Sequence, residues 1–595
     1  MNEFKKLLKF SNGYNLMYFL GMISIVIAQA FNTIGPLIIR TAVDSIIGNE
    51  PITSSIIQNM VNILGGRDYL TEHLWILGFT IIINTALRGL FLYFKNTLSS
   101  KASENIAMRI RNKLYDHIQR LPYEYHQNSE TGELIQRCTS DVETIRRFLA
   151  IQLVEVAGSI FMLVFVLRIM FSLSSKMAYI TIFFLPLVFS FAVLFFKKVK
   201  RDFEKADESE ARMSTTLQEN LTGIRVVKAF AREAYELEKF DEKNLDYKNK
   251  VNKLVVNLAT YWSISDFLSY IQVGLVIIIG TTFVIKGELT LGTLIAFISY
   301  INMMIWPIRQ MGRTLTDMGK ASISIKRIHE ILNEDIEILE YTKEKPIIKG
   351  NIEFKNVYFE YEKNHPVLRN ISFNVKAGQT MAIIGSTGSG KSSLVHLLPR
   401  LYEYQQGSIK IDAMELNTID KHWIRKNVGL VLQEPFLYAK TIKENIRLSD
   451  PSMTDEKVYE AARTASIHDD INSFDKKYDT FVGERGVSLS GGQKQRMAIA
   501  RTIINESPIV VFDDSLSAVD TETDLSIRKA LNTRKNKATT IIISHRISTV
   551  SEADMILVID KGEIIQRGTH RELINEEGLY KRVYNIQSSF MDNID

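Results

Sequence analysis

Six apolar stretches make up about half of the first 310 residues of this 595-residue chain, and nothing else in the sequence restricts its fold as tightly. Roughly 20 apolar residues are needed to cross a hydrocarbon core as a helix. Lipid offers the backbone no partners, so each amide must bond within its own segment, which makes such stretches helical. Residues 10–39, 177–196 and 289–308 carry no charge. Residues 74–94 contain only Arg88, residues 148–173 only Glu155 and Arg168, and residues 254–285 only Asp266. Six is even, so both termini lie on one side.

Charge asymmetry selects that side. Lys5, Lys6 and Lys9 precede the first stretch, and the long connections 95–147 and 197–253 are rich in Lys and Arg. The opposite links, 41–73, 172–176 and 286–288, are short or weakly basic. Basic loops stay cytoplasmic, so the expectation is a multi-pass protein of the plasma (cell) membrane, with lipids around it and both termini cytoplasmic. The long connections mix polar and apolar residues at helical period without Gly/Pro clusters, which predicts helices running well past the bilayer toward a cytoplasmic partner domain. Thr131-Gly132-Glu133, after Leu121-Pro122, and Leu221-Thr222-Gly223 interrupt them, each as the turn of a short crossing helix or as a plain bend. A carboxylate within a span faces protein or a water-filled cavity, so Asp266 is either a substrate or ion contact or an interhelical polar contact. Arg88, Glu155 and Arg168 lie nearer span ends, where snorkelling accounts for them. Phe297, Tyr300, Met303, Met304 and Trp306 either line an adaptable apolar pocket or pack between helices.

Composition excludes several classes. The length exceeds one hydrophobic core. A net charge of +5 is too mild over this length to imply nucleic acid. Cys138, the lone cysteine, rules out an internal disulfide and a cysteine-rich metal site. The first apolar run is too long for a cleavable signal peptide and lacks small residues at a cleavage point. Mean hydropathy near zero averages two unlike parts: a membrane domain over 1–330, a linker over 331–350, and an α/β domain over 351–595.

The second part opens with β-branched runs separated by turns. Met381-Ala382-Ile383-Ile384 reads as a buried strand, followed by Gly385-Ser386-Thr387-Gly388-Ser389-Gly390-Lys391-Ser392-Ser393 and an apolar helix. This is the complete G-x-x-x-x-G-K-S pattern between a strand and a helix. Its glycines let backbone N–H groups approach phosphate, with the helix dipole behind them. Lys391 reaches the β- and γ-phosphates of ATP, and the Ser392 hydroxyl ligates Mg²⁺. Ile509-Val510-Val511-Phe512 is a second buried strand, ending in Asp513, a further magnesium contact, and Asp514, at the position of the water-activating base. His545, following the strand 540–543, is placed to sense the γ-phosphate. These elements imply a P-loop ATPase.

Leu489-Ser490-Gly491-Gly492-Gln493-Lys494-Gln495-Arg496 resembles the signature of ATP-binding cassette (ABC) proteins, in which it holds the γ-phosphate bound by the opposite subunit. Other landmarks resemble that family in the same order. Tyr361 matches the aromatic that stacks on adenine, and Gln433 the glutamine that touches magnesium and the membrane half. Val482-Gly483-Glu484-Arg485-Gly486 matches the exporter loop contacting the crossing helices, and Ser517-Ala518-Val519-Asp520 the loop joining two nucleotide sites. Thr131-Gly132-Glu133-Leu134 and residues 223–230 match its coupling regions. Six spans followed by one cassette resemble an exporter half-transporter of the bacterial multidrug and lipid type. The resemblance implies a six-helix membrane domain, a RecA-like α/β domain with a helical subdomain, and a dimer sandwiching two ATP molecules. It implies ATPase-driven export of hydrophobic or amphipathic molecules, drugs or lipids, by alternating access. A peptide substrate is disfavoured, because no protease-like domain precedes the first span.

Asp514 stands where the family's base is the longer glutamate. A base must approach its water to about 2.6–3.2 Å, and a misplacement of about 1 Å costs around 10²-fold in rate. With an intact signature, this resembles one half of asymmetric heterodimeric exporters, whose partner carries the glutamate and supplies the efficient base. The alternatives are a homodimer in which Asp514 suffices, and an ATP-gated channel or regulatory subunit.

Overall fold

Long uncharged runs free of turn residues become helices far longer than a bilayer is thick. The computed structural model describes residues 13–52, 55–337, 344–483, 486, 488–517, 519–532 and 537–591. Lys5, Lys6, Lys9, Glu484, Arg485 and Ala518 lie outside the described residues. Contacts divide the chain into two units: Met1–Arg120 with Ser129–Glu334, and Leu121–Asn128 with Asp335–Asp595.

Among the described residues of the first unit, six helices are long and apolar enough to cross a membrane: Asn15–Ile47, Trp75–Gln119, Thr131–Leu173, Ser175–Thr222, Glu233–Ile285 and Leu291–Gln310. At 1.5 Å per residue the 53-residue fifth helix is roughly 80 Å long, against ~30 Å of hydrocarbon. The excess forms the extensions expected from the basic connections. The break at Gly223 is followed by the short helix Ile224–Ala229, on and beside which Leu221, Val226 and Phe230 are exposed.

The span core is built by Met162, Val166, Met170, Met177, Val276, Phe297, Tyr300 and Met304. Phe297, Tyr300 and Met304 are therefore packing residues, and the Tyr300 hydroxyl donates to Thr33 O at 2.8 Å, tying the sixth span to the first. Trp306 is exposed and stacks on Trp262, with centroids 6.1 Å apart. Asp44, in the wide turn Ala42–Ile47, accepts from Gly292 N (2.6 Å) and Thr290 Oγ1 (2.6 Å), so a carboxylate caps the positive N-terminus of helix Leu291–Leu332. A Cβ at Gly292 would lie 2.7 Å from Arg40 O, so only glycine permits this approach.

Asp266 meets a residue that sequence patterning did not single out. Arg309 of the sixth span is buried and donates to Asp266 Oδ1 (2.5 Å), Ser265 O (2.6 Å) and Ser269 Oγ (2.5 Å). Asp266 thus makes an interhelical polar contact, with its side chain still 55% exposed.

The second unit holds two sheets. One is antiparallel, in the order β2 (Pro366–Val375), β1 (Ile352–Glu360), β4 (Gln406–Ile411), β5 (Met414–Glu415). The other has the order β10 (Glu563–Gly568), β9 (Met555–Asp560), β3 (Thr380–Gly385), β8 (Thr539–Ile543), β7 (Ile509–Asp513), β6 (Val428–Val431). Its strands from β9 to β6 run parallel, and β10 is antiparallel to β9. Buried on both faces, β3, β7 and β8 read as continuous apolar runs, as a covered parallel sheet requires. Helices Ile442–Ile446, Asp455–Thr464, His468–Asn472 and Gly491–Ile503 fall between β6 and β7 in sequence and pack a second apolar core with Val431, Val510 and Phe512, the helical subdomain.

Residues 121–128 depart from the expected 1–330 boundary. Pro122 cannot continue the second helix, which ends at Gln119, and the chain turns into the short helix Tyr123–Asn128, which belongs to the second unit. This helix lies upstream of Thr131-Gly132-Glu133, where a further helix, Thr131–Gln136, begins.

Candidate nucleotide-binding site

Parallel register brings three chain segments to one edge. Ile383 of β3 pairs with Ile543 of β8, and Ile543 with Asp513 of β7. The phosphate loop, the two acids and His545 therefore emerge side by side at the carboxyl ends of the strands, where open α/β sheets bind ligands.

The loop's glycines have separate reasons. A Cβ at Gly385 would lie 2.0 Å from Ile559 O, so β9 can approach only a glycine. Gly390, at φ +95, caps the helix Lys391–His396. Ahead of it, Gly388 has φ +80 and open space where a Cβ would stand.

Lys391 folds back on its own loop, donating to Gly385 O (3.0 Å) and Ser386 O (2.7 Å). Burial pushes its amine below the usual lysine range, while Asp514 and Asp513 pull it back up. The Ser392 hydroxyl donates to Asp513 Oδ1 at 2.8 Å. A hydroxyl and a carboxylate side by side are hard oxygen donors suited to Mg²⁺. Ser389 Oγ is buried without a partner among the described residues, and the Lys391 amine is occupied only by carbonyls. Both features fit a loop built for phosphate.

Asp514 has φ +47, a left-handed conformation that aspartate tolerates better than longer side chains. Its amide donates to Ile543 O, and Ser517 Oγ donates to its carbonyl at 2.7 Å. The Gln433 side chain reaches Asp514 Oδ2 only at 3.4 Å, and Oδ1 is buried without a partner among the described residues. Burial raises the Asp514 carboxyl above the usual range, against the pull of nearby His545. His545 is exposed, and its backbone carbonyl accepts from Gln587 Nε2 at 2.7 Å.

Tyr361 bonds Ser393 through its hydroxyl (2.8 Å) and packs edge-on to Phe359 and Tyr402. Burial pushes the Tyr402 phenol up to about 12. Tyr123 packs edge-on to Tyr402, with centroids 5.5 Å apart. His396 is another residue absent from the sequence reading: its Nε2 lies 3.3 Å from Asp513 Oδ2. The signal was available, since His396 is four residues after Ser392 and shares its helix face.

The signature residues do not join this cluster. Ser490 caps helix Gly491–Ile503 in a capping box with Gln493, whose side chain also donates to Asp470. Gly491 has open space around it, and Gly492 follows in the first turn. Asp520 spends its carboxylate on Thr523, accepting from its amide (2.9 Å) and hydroxyl (2.7 Å). Arg546 holds the loop before it through Ser517 O and Val519 O, both at 2.6 Å.

A phosphate loop on a parallel sheet, joined to six membrane-length helices, defines a membrane-bound P-loop ATPase. Residues 18–308 match the family description "ABC transporter transmembrane region", and residues 368–517 match "ABC transporter". The chain is 34% identical over 590 residues to the "Uncharacterized ABC transporter ATP-binding protein YknU" of Bacillus subtilis strain 168, covering 99% of this chain and 98% of that protein. It is 34% identical over 593 residues to a "Putative multidrug export ATP-binding/permease protein" of Staphylococcus aureus strain NCTC 8325, covering 98% and 100%. The solved structure of a bacterial Atm1-family ABC exporter with ATP bound superposes with a TM-score of 0.79 at 25% identity, over 95% of this chain and 98% of that one. The chain belongs to the ABC transporter family: it is a multi-pass ABC exporter whose ATPase domain is coupled to transport, and it is homologous to multidrug exporters.

Proposed function

We propose that this chain is one half of a heterodimeric exporter that moves hydrophobic or amphipathic small molecules, drugs or lipids, out of a bacterial cell by alternating access. Its own phosphate-loop site binds ATP and turns it over slowly, and its non-identical partner carries glutamate at the base position. Tyr361 and residues 385–393 hold the nucleotide. Ser392, Asp513 and Gln433 are the residues that would hold Mg²⁺, which when bound neutralises developing phosphate charge. Lys391 leaves its loop carbonyls for phosphate. Asp514 and His545 flank the attacking water. Ser490 to Gln493 complete the partner's site, and Asp520 braces the loop between the two sites. Both termini are cytoplasmic.

The observation that carries the reading is the reach of Asp514. Its carboxylate stops short of a firm bond to Gln433, with one oxygen unpartnered, while the signature is well formed. The exposed Leu221, Val226 and Phe230 around helix Ile224–Ala229 support the dimer by giving it an apolar docking surface. The test is expression alone: slow ATPase and no transport are expected, with both appearing when the partner is co-expressed. Fast ATPase with transport by the chain alone would replace this reading with a homodimer, and conductance down a gradient would replace it with a gated channel.

A further inference from the structure

The buried face of helix Lys391–His396 carries a polar atom that the mechanism leaves unused. His396 Nε2 is buried, lies 3.3 Å from Asp513 Oδ2, and makes no hydrogen bond in this geometry among the described residues. A buried polar atom without a partner calls for an explanation, and this one is aimed at a carboxylate that is itself only 3% exposed. Asp513 is held on its other oxygen by Ser392 alone of the side-chain hydroxyls around it, at 2.8 Å. Ser392 is also the residue assigned to the cation; its oxygen lone pair can serve as a ligand while its proton still goes to Asp513 Oδ1, so Ser392 fixes only that one oxygen of the carboxylate. The other oxygen, Oδ2, faces the imidazole, which is already within reach.

On its other side the imidazole meets the ring of Tyr123, edge-on, with centroids 6.3 Å apart. Tyr123 belongs to the short helix Tyr123–Asn128, the only segment before residue 335 that groups with the second unit. His396 is therefore packed between that segment and the acid that ends β7.

We propose that His396 is a positioning residue: it holds Asp513 Oδ2 through Nε2–H while Ser392 and Asp513 serve the cation, and Tyr123 holds the imidazole in that pose. The inference rests on the assignment of Ser392 and Asp513 as the cation-holding pair. Orienting groups behind a metal ligand typically govern affinity by about 10–100-fold. Glutamine can place its amide N–H near the position of Nε2, whereas leucine fills the space without a donor.

The test uses the full-length chain in detergent, with Mn²⁺ as the paramagnetic cation probe and a non-hydrolysable ATP analogue, read by electron paramagnetic resonance. Binding of the analogue without metal is measured in parallel. His396→Leu is expected to weaken Mn²⁺ binding by about 10-fold or more, with His396→Gln within about threefold of wild type. Tyr123→Ala is expected to give a smaller loss in the same direction, and metal-free binding of the analogue is expected to be unchanged throughout. An unchanged Mn²⁺ affinity in His396→Leu overturns the proposal. So does an equal loss of metal-free nucleotide binding, or a His396→Gln variant as weak as the leucine one, since each would make the role merely structural. Asp513→Asn separates the two layers. If it leaves Mn²⁺ binding intact, the cation assignment fails; if it abolishes binding while His396→Leu does not, only the role of His396 fails.

Discussion

Asp514→Glu is the substitution on which the proposed asymmetry turns. The present carboxylate makes only a long, 3.4 Å contact to the Gln433 amide, and a base works at about 2.6–3.2 Å from its water. One methylene adds about 1.5 Å of reach toward that water. Correcting a misplacement of about 1 Å is worth around 10²-fold in rate, or roughly 2.7 kcal/mol at 1.36 per tenfold. A counter-effect comes from the backbone. At φ +47 a glutamate carries about 1 kcal/mol more strain than aspartate, which displaces the new carboxylate somewhat from its best position. The expected gain therefore lies between about 10- and 100-fold in turnover, with the KM for ATP little changed. The assay is steady-state ATP hydrolysis by the purified chain without any partner, beside Asp514→Asn as a control that retains size and removes the base. Wild-type turnover already equal to that of Asp514→Glu would refute the reasoning, because reach would then not be limiting.

Other expectations follow from the remaining geometry. Ser490→Ala removes a helix cap worth about 1 kcal/mol; it should leave ATP binding at this chain's own phosphate loop intact while lowering hydrolysis by the dimer, measured by nucleotide binding and ATPase together. Asp266→Ala strands the buried Arg309 guanidinium, whose removal from its carboxylate should cost about 1–3 kcal/mol, read as a lower melting temperature in detergent. Glu337 pairs with Arg425 at 2.6 and 2.7 Å and with Lys421 at 3.3 Å. Burial alone would raise its carboxyl, but the two cations outweigh that and hold it below the usual range. A depressed folded-state pKa stabilises above the unfolded value, near 4.3, and that stability is lost as pH falls through the folded pKa. Glu337→Gln should therefore lower the melting temperature at pH 7, and the difference from wild type should shrink as pH is taken below about 4.

The sequence alone carried whatever depends on contiguous residues. Spans are legible because a helix in lipid needs an unbroken apolar run, and the phosphate loop because its glycines, Lys391 and Ser392 act through one local backbone. The signature was legible for the same reason, since Ser490 and Gln493 cap the helix they begin. What joins distant segments was not. Asp266 read as a possible substrate contact until the fold placed Arg309, 43 residues on, beside it. Phe297 and Tyr300 proved to be core because of which helix faces turn inward, and a uniformly apolar span has no polar stripe to announce that choice. His396 shares a helix face with Ser392 in the sequence, but its partner Asp513 came beside it only when strand register set Asp513 opposite Ile543. Likewise residues 121–128 lie among membrane spans in sequence yet group with the ATP-binding unit. Local chemistry is written in order along the chain, whereas the partners of a buried charge are decided by packing, which brings together residues that the order keeps apart.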